Sequence, residues 1–382
     1  MIAMKEGWKY KKLGEVARVQ NGFAFDSKLF NDNYIGTQLI RIRDIKRAYT
    51  QTYTTETCSD DYVIEDGDVL IGMDGDFNVC VWAGGHAYLN QRVCRVVPSD
   101  DISSRFIYYL LPFPLKRIND KTAFSTVKHL SSKQVNEILI PVLSLSEQQS
   151  IVDRLDASFA HIDALKANAE KQLAEARKLF QAELTECMRP KEGWEHKKLG
   201  DVCYVVGGGT PDTKNKDYWG GSIPWATVSD MNCEVIKSTG YSITGRGLDE
   251  SSSRIIKAGE IIIATRVGLG KVCKLAIDTA INQDLKGIIP KENNILRDFI
   301  FYYFKNKANY IVNNGIGATV KGVKIKFIES LSFDYPPSPE QQKIIERLDA
   351  LSANIKKLEE VLRKTQDECD ALKQAILREV FE

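Results

Sequence analysis

The feature that most constrains this chain is that it contains a second copy of itself. Glu6-Gly7-Trp8-Lys9-Tyr10-Lys11-Lys12-Leu13-Gly14-Glu15-Val16 is answered 186 residues later by Glu192-Gly193-Trp194-Glu195-His196-Lys197-Lys198-Leu199-Gly200-Asp201-Val202. Further on, Phe106-Ile107-Tyr108-Tyr109 answers to Phe299-Ile300-Phe301-Tyr302, Thr126-Val127-Lys128 to Thr319-Val320-Lys321, and Glu147-Gln148-Gln149 to Glu340-Gln341-Gln342, all at an offset of 193. Weaker echoes, Asn90-Gln91 with Asn282-Gln283 and Asp44 with Asp230, lie where the copies have drifted apart. A fixed internal period sets the architecture before any local propensity is considered. The chain is a tandem duplication, each half a globular head followed by a helix.

At 382 residues the chain exceeds what one hydrophobic core usually serves. The expected domains are a first head over 1–145, a central helix over 146–189, a second head over 190–338 and a C-terminal helix over 339–382. Head one reads as short β-rich segments such as Asp68-Val69-Leu70-Ile71-Gly72, punctuated by Gly, Asn and Asp turns. Head one carries 18 Lys/Arg against 17 Asp/Glu and head two 20 against 16, whereas the helical segments carry 6 against 8 and 8 against 10. A basic excess on the heads and an acidic one on the helices suits heads that meet phosphate and helices that meet protein.

The N-terminus turns charged at once and no window approaches a membrane span, so a cytoplasmic protein without membrane contact is expected. Its eight cysteines show no Cys-x-x-Cys pair and no histidine at zinc spacing, which favours reduced, mostly buried thiols and no metal.

From Ile344, steps of four and three residues land on Leu348, Leu351, Ile355, Leu358 and Leu362, then on Leu372 and Ile376 after Thr365 and Cys369. The same grid in the first copy lands on Ile151, Leu155, Ile162 and Leu165 among smaller and polar members. A period of 3.5 kept for several heptads predicts coiled-coil pairing. Pro336-Pro337-Ser338-Pro339 marks where the last helix starts. Helices of roughly 40 residues would be roughly 60 Å long. Paired antiparallel, they would brace the heads by pseudo-two-fold symmetry, and heads held roughly 45 to 60 Å apart would reach points about 13 to 17 base pairs distant on a duplex.

These motifs resemble the specificity (S) subunits of type I restriction-modification systems, over the whole chain. Gly208-Gly209-Thr210-Pro211, Tyr218-Trp219-Gly220-Gly221-Ser222-Ile223-Pro224-Trp225 and Asp230-Met231 look like the family's opening of a target-recognition domain. The twice-used Glu-Gln-Gln at the start of a long helix is its second hallmark. Head one departs from this form, with Asn21-Gly22-Phe23-Ala24-Phe25 and Leu39-Ile40-Arg41-Ile42-Arg43-Asp44-Ile45, and resembles another subtype of recognition domain. The resemblance implies a mixed α/β fold in which two target-recognition domains are separated by two long antiparallel coiled-coil helices. It further implies a non-catalytic subunit that reads a bipartite, interrupted site in double-stranded DNA, each head selecting about three to five base pairs. Two methyltransferase (M) subunits would dock on the helices, restriction (R) subunits would join them, and S-adenosylmethionine and ATP would bind only to those partners.

No Gly-x-x-x-x-Gly-Lys-Ser/Thr phosphate cradle, no amino-methyltransferase Asp/Asn-Pro-Pro-Tyr/Phe motif and no Ser-His-Asp or Cys-His arrangement is readable in the sequence. Pro211-Asp212-Thr213-Lys214 lacks the second acid of a nuclease site. Cations and amides in turn-rich segments do suit DNA, because arginine and lysine pair with guanine, asparagine and glutamine with adenine, and either cation holds phosphate. The candidates in head one are Asn21, Phe23, Lys28, Arg41, Arg43, Lys46, Arg92, Thr126, Lys128 and His129. Those in head two are Thr210, Lys214, Lys216, Trp219, Thr227, Ser229, Arg266, Gln283, Thr319 and Lys321. Solvated turns and satisfied core hydrogen bonds account equally well for about half of each set. The net charge of +1 leaves a rival open, a coiled-coil protein-protein adaptor with two binding heads. An enzyme acting on DNA is a second rival without a supporting motif.

Overall fold

The computed structural model describes residues 7–121, 128–317 and 320–381. The chain divides into two compact units, and the division runs through both long helices: Met1–Asn168 with Arg363–Glu382, and Ala169–Leu362.

In the first unit, head one is closed by pairing its first and last strands, Lys9–Lys12 against Leu139–Val142. Between them lies an antiparallel sheet in the order Ala17–Asn21, Val93–Pro98, Val69–Gly72, Val79–Val81. Val69–Gly72 is buried at every position, as a central strand covered on both faces must be. A second sheet holds a parallel pair, Thr37–Ile40 with Ala87–Leu89, flanked by Val63–Ile64. Two short helices follow, Ser104–Leu110 and Pro112–Lys121. The break between them falls at Pro112, which cannot donate the hydrogen bond that a continuous helix needs there.

Head two repeats this frame within the second unit. Glu195–Lys198 pairs with Ser332–Tyr335. The main sheet runs Cys203–Gly207, Leu285–Pro290, Ile261–Ala264, Val272–Leu275, with Val235–Ile236 added at its edge. A parallel pair joins Trp219–Ala226 to Thr279–Ile281. Here a single helix, Arg297–Asn313, replaces the two of head one, and Phe299 to Phe304 are all buried along its first turns.

The long helices are Leu145–Cys187 and Ser338–Phe381. The first starts at a reciprocal cap, in which Ser144 N donates to Glu147 Oε2 at 2.9 Å and Glu147 N to Ser144 Oγ at 3.3 Å. The Glu-Gln-Gln motif has a mechanical role that its sequence does not announce. Gln148 is fully buried; its Oε1 accepts from Ser103 N at 2.9 Å, and its Nε2 donates to Asp101 O and Leu143 O, both at 2.9 Å. Gln341, equally buried, accepts from Leu296 N at 2.9 Å and donates to Asn294 O at 2.9 Å and Pro336 O at 2.8 Å. One glutamine per unit thus ties helix to head through three backbone groups that its amide satisfies.

The helices run antiparallel inside each unit. In the first, Asp163 meets Lys373 at 2.5 Å and Lys166 meets Asp370 at 2.9 Å. In the second, Arg177 meets Glu359 at 2.6 Å and Glu183 meets Arg347 at 2.7 Å. Residue numbers rise on one helix as they fall on the other. Each head therefore packs on the near part of one long helix and the far part of the other. Val152 and Leu155 share a core with Phe106, Leu377, Val380 and Phe381, while Leu184 and Cys187 share one with Phe299, Ile344 and Leu348.

The expected heptad grid holds along most of the C-terminal helix, where Cys369 is also buried and Thr365 and Ile376 half-buried, and drifts in the central one. Leu155, Ile162, Ile344 and Leu348 are buried, and Ile151, Leu351, Ile355 and Leu362 are half-buried, but Leu165 is 59% exposed and Leu358 37%. In the central helix the grid holds over the buried Gln148, Leu155 and Ile162, after which the buried Leu173 and Leu184 follow at steps of eleven residues. That spacing is about 3.67 residues per turn, so a grid of 3.5 walks off the buried line within a few turns.

Candidate nucleic-acid interface

In both heads the first sheet strand ends by crossing onto the Asn-Gln loop. Gly22 N donates to Val93 O at 3.0 Å, Phe23 N to Leu89 O at 2.9 Å, and Gln91 N to Phe23 O at 2.7 Å. In head two, Gly209 N donates to Ile281 O at 3.0 Å. The crossing is too tight for a side chain, since a Cβ on Gly22 would lie 2.1 Å from Asn90 O and one on Gly208 2.2 Å from Ile281 O. Glycine here is a matter of close approach. Asn90 and Asn282 are buried beneath the loop, whereas Gln91 and Gln283 stand exposed on it.

Beside this loop the central sheet strand ends in the same way twice. Met73 N donates to Arg92 O at 2.8 Å, and Thr265 N donates to Asp284 O at 2.8 Å. A later segment adds to the ladder through Leu130 N to Met73 O at 2.7 Å and Val323 N to Thr265 O at 2.8 Å. On this shared backbone, head one sets Arg92 3.6 Å from Asp74, with His129 Nδ1 2.7 Å from the same carboxylate and Lys128 donating to Asn119 at 2.6 Å. Arg92 holds φ at +71, a left-handed conformation unusual for a side chain of this size. Head two sets Arg266 3.8 Å from Asp284. Thr210 Oγ1 donates to Gln283 Oε1.

Head two also has an open cleft of about 1000 Å³ lined by Arg266, Lys286, Lys324, Lys326, Gln283 and Asn314 among others. Burial pushes the Lys286 ammonium below the ordinary lysine range, against the opposing pull of Asp284. Its Nζ donates to Gln283 O at 2.5 Å and so stiffens the loop.

The sequence candidates divide. Arg92, Lys128 and His129 come together in head one, and Arg266, Gln283 and Thr210 in head two, where Lys321 stands exposed next to Gly322. Thr126 and Thr319 lie outside the described residues. Lys28, Lys214 and Lys216 are exposed on turns that Asp26, Asp212 and Asn215 cap. Asn21 donates to Ser132 at 3.3 Å, Lys46 pairs with Asp76 at 3.2 Å, Arg43 donates to Thr52 at 2.8 Å, and Arg41 lies over the Phe30 ring.

Three further candidates make contacts inside their own head. Trp219 stands edge-on to Trp225 at 5.0 Å with its Nε1 donating to Asp212 O, so one side of its half-buried ring packs in a small apolar cluster. Phe23 is held between Phe25 and Tyr62 at 4.9 and 5.3 Å. Thr227 caps its own turn, accepting from Ser229 N and donating to Asp230, just as Arg41 N donates to Asp44 at 2.9 Å in head one. Sequence reasoning missed Asp74, Asp284, Lys286, Lys324 and Lys326. The alternation Lys321-Gly322-Val323-Lys324-Ile325-Lys326 was a usable signal for the last two.

The duplicated frame also decides the family. A family model described as the type I restriction modification DNA specificity domain matches residues 5–175 and again 191–364. The chain belongs to the type I restriction-modification DNA specificity family. Its heads are thus two DNA specificity domains in one chain. It is 32% identical to the EcoR124I/EcoR124II specificity subunit of Escherichia coli over 88% of this chain and 85% of that one. It is 26% identical to the EcoBI specificity subunit of the same organism over 100% and 87% of the respective chains. Among solved structures, one from a study of complex assembly and conformational transition in a type I R-M system superposes with a TM-score of 0.79 at 18% identity, covering 100% of this chain and 99% of that one. The HsdS subunit of Thermoanaerobacter tengcongensis gives 0.56 at 18%, covering 99% and 97%. At such identities the superpositions speak for the fold of a specificity chain alone. No helix among the described residues is long and apolar enough to cross a membrane.

Proposed function

We propose that this chain is the non-catalytic reader of a bipartite, interrupted sequence in double-stranded DNA, each head selecting one half. The observation that carries this reading is that one backbone frame occurs twice with different exposed side chains around a shared Asn-Gln loop: Arg92 and His129 in one copy, Arg266 and Lys321 in the other. A fixed frame with variable loop chemistry is what independent readout of two half-sites requires. Phosphate contacts from the lysines position each head, and arginine and amide groups at base edges select the sequence.

Methyl transfer to the target adenine comes from M subunits docked on the long helices, two per chain to match the two repeats. R subunits join that core, S-adenosylmethionine and ATP reside on these partners, and the assembly works in the cytoplasm. The test is an exchange: residues 1–145 are replaced by the first head of another family member, and the sequence methylated by the reassembled complex is mapped. One half of the methylated sequence changes while the other and the gap persist. A change in both halves defeats independent readout. Retention on duplex DNA that does not weaken with salt, with or without the M subunit, defeats DNA reading and leaves a protein adaptor.

A further inference from the structure

The ion pair beside the Asn-Gln loop occurs in both heads with its charges exchanged. Asp74 and Arg266 occupy one position of the duplicated ladder, and Arg92 and Asp284 occupy the other. In head one the arginine comes from the loop and the aspartate from the strand end; in head two the reverse holds. In both, the aspartate is the covered partner, 28% and 13% exposed, and the arginine the open one, 55% and 58% exposed. Neither pair is closed as a bidentate bridge. Asp284 Oδ1 is buried without a hydrogen-bond partner among the described residues, though Arg266 Nη1 is 3.8 Å away. The Arg266 stem lies over Gly322, where a Cβ would sit 3.3 Å from Arg266 Cγ.

We infer that Asp74 and Asp284 are positioning residues that make Arg92 and Arg266 readers of guanine and prevent them from acting as phosphate clamps; the inference rests on the proposed DNA-reading role of the heads. A carboxylate within 4 Å of a guanidinium holds the fork in place and repels any phosphate that approaches it. Guanine O6 and N7 are uncharged acceptors, so a base edge meets the same fork without that repulsion. The pairing therefore trades nonspecific affinity for discrimination. Because the polarity is exchanged, the two heads aim the fork from opposite sides of one frame.

The test uses the full chain assembled with its methyltransferase partner, a duplex bearing the motif methylated in the host, and a scrambled duplex. Asp74→Asn and Asp284→Asn raise affinity for the scrambled duplex, steepen the slope of log K on log salt by about 0.9 for one new phosphate contact, and cut the motif-to-scrambled ratio roughly 5-fold or more. Arg92→Gln and Arg266→Gln lower motif affinity roughly 5- to 150-fold and leave scrambled binding unchanged. The double exchange Asp74→Arg with Arg92→Asp rebuilds the pair in the polarity of head two and returns the salt slope to its original value. Should folding suffer in a single variant, this double variant decides. Asn variants with unaltered slope and ratio overturn the tether, as does equal loss on both duplexes in the Arg→Gln variants. A wild-type complex with no preference for the motif instead removes DNA reading itself, a result distinct from either.

Discussion

The loops Asn90–Arg92 and Asn282–Asp284 hang on matching backbone hydrogen bonds, yet end in residues of opposite charge. The same contrast runs through both units. What both copies keep is what holds backbone to backbone: the glycine crossings, the buried Gln148 and Gln341, and the capped turns at Asp44 and Asp230. What differs faces outward, or ties the helices on by different means. Unit one uses Asp156, which accepts from Tyr109 and from Arg105 at 2.7 Å; hydrogen bonding from Arg105 outweighs burial and holds that carboxyl below its ordinary range. Unit two keeps the tyrosine, with Tyr302 donating to Asp349 at 2.5 Å, but adds Glu234 between Lys305 and Lys356. A frame that must carry variable readers tolerates change only where no backbone group depends on the side chain.

The largest effects should sharpen the equivalence. Gln148→Leu and Gln341→Leu each remove the side-chain partner of three backbone groups, most of them part-buried, so each costs about 3 kcal/mol of local stability. Hydrogen exchange should show protection lost from 1–168 with 363–382 in the first variant and from 169–362 in the second. Markedly unequal losses would mean that the two glutamines are not equivalent anchors.

Next comes the seam. Leu348→Ala opens a fully buried site and costs about 3 kcal/mol, whereas Leu165→Ser at an exposed position changes stability by no more than about 0.5 kcal/mol. Thermal melting of the two variants checks this, and equal losses would restore the heptad grid.

The smallest effect separates the units. Burial pushes the Glu234 carboxyl up, but hydrogen bonds and charge from Lys305 and Lys356 prevail and hold it below its ordinary value of 4.5. Its contribution is complete above that value and fades as pH falls through the lowered one. Glu234→Gln should therefore cost about 1 kcal/mol at neutral pH and flatten the acid limb of unit two, with unit one unchanged. An unaltered acid limb in exchange protection of 169–362 would show that the lysines do not hold this carboxylate.

Much of the fold was legible in the chain itself. The repeat is a match of the sequence with itself, and the proline-marked helix start and the β-rich punctuation are local. Part of the candidate site was legible too, because Arg92, His129, Arg266 and Gln283 are polar residues in turns. Asp74 and Asp284 were not, since two acids near turns look like solvated loop residues until the ladder brings them beside an arginine. Trp219 and Phe23 show the opposite difficulty: aromatic side chains in a glycine-rich segment serve packing as readily as contact.

Duplication, helix length and the placement of apolar residues along each helix follow from the order of residues, because the first needs only a comparison of the sequence with itself and the others depend on neighbours a few positions apart. Which helix segment closes which head does not. Phe381 ends up against Phe106, and Leu184 in one core with Phe299, because antiparallel pairing brings the far part of each helix to the core that the other helix leaves incomplete. Apolar burial is non-directional, so an apolar stripe states that a partner is needed; only the folded backbone, with its buried glutamines and cross-helix ion pairs, selects the partner.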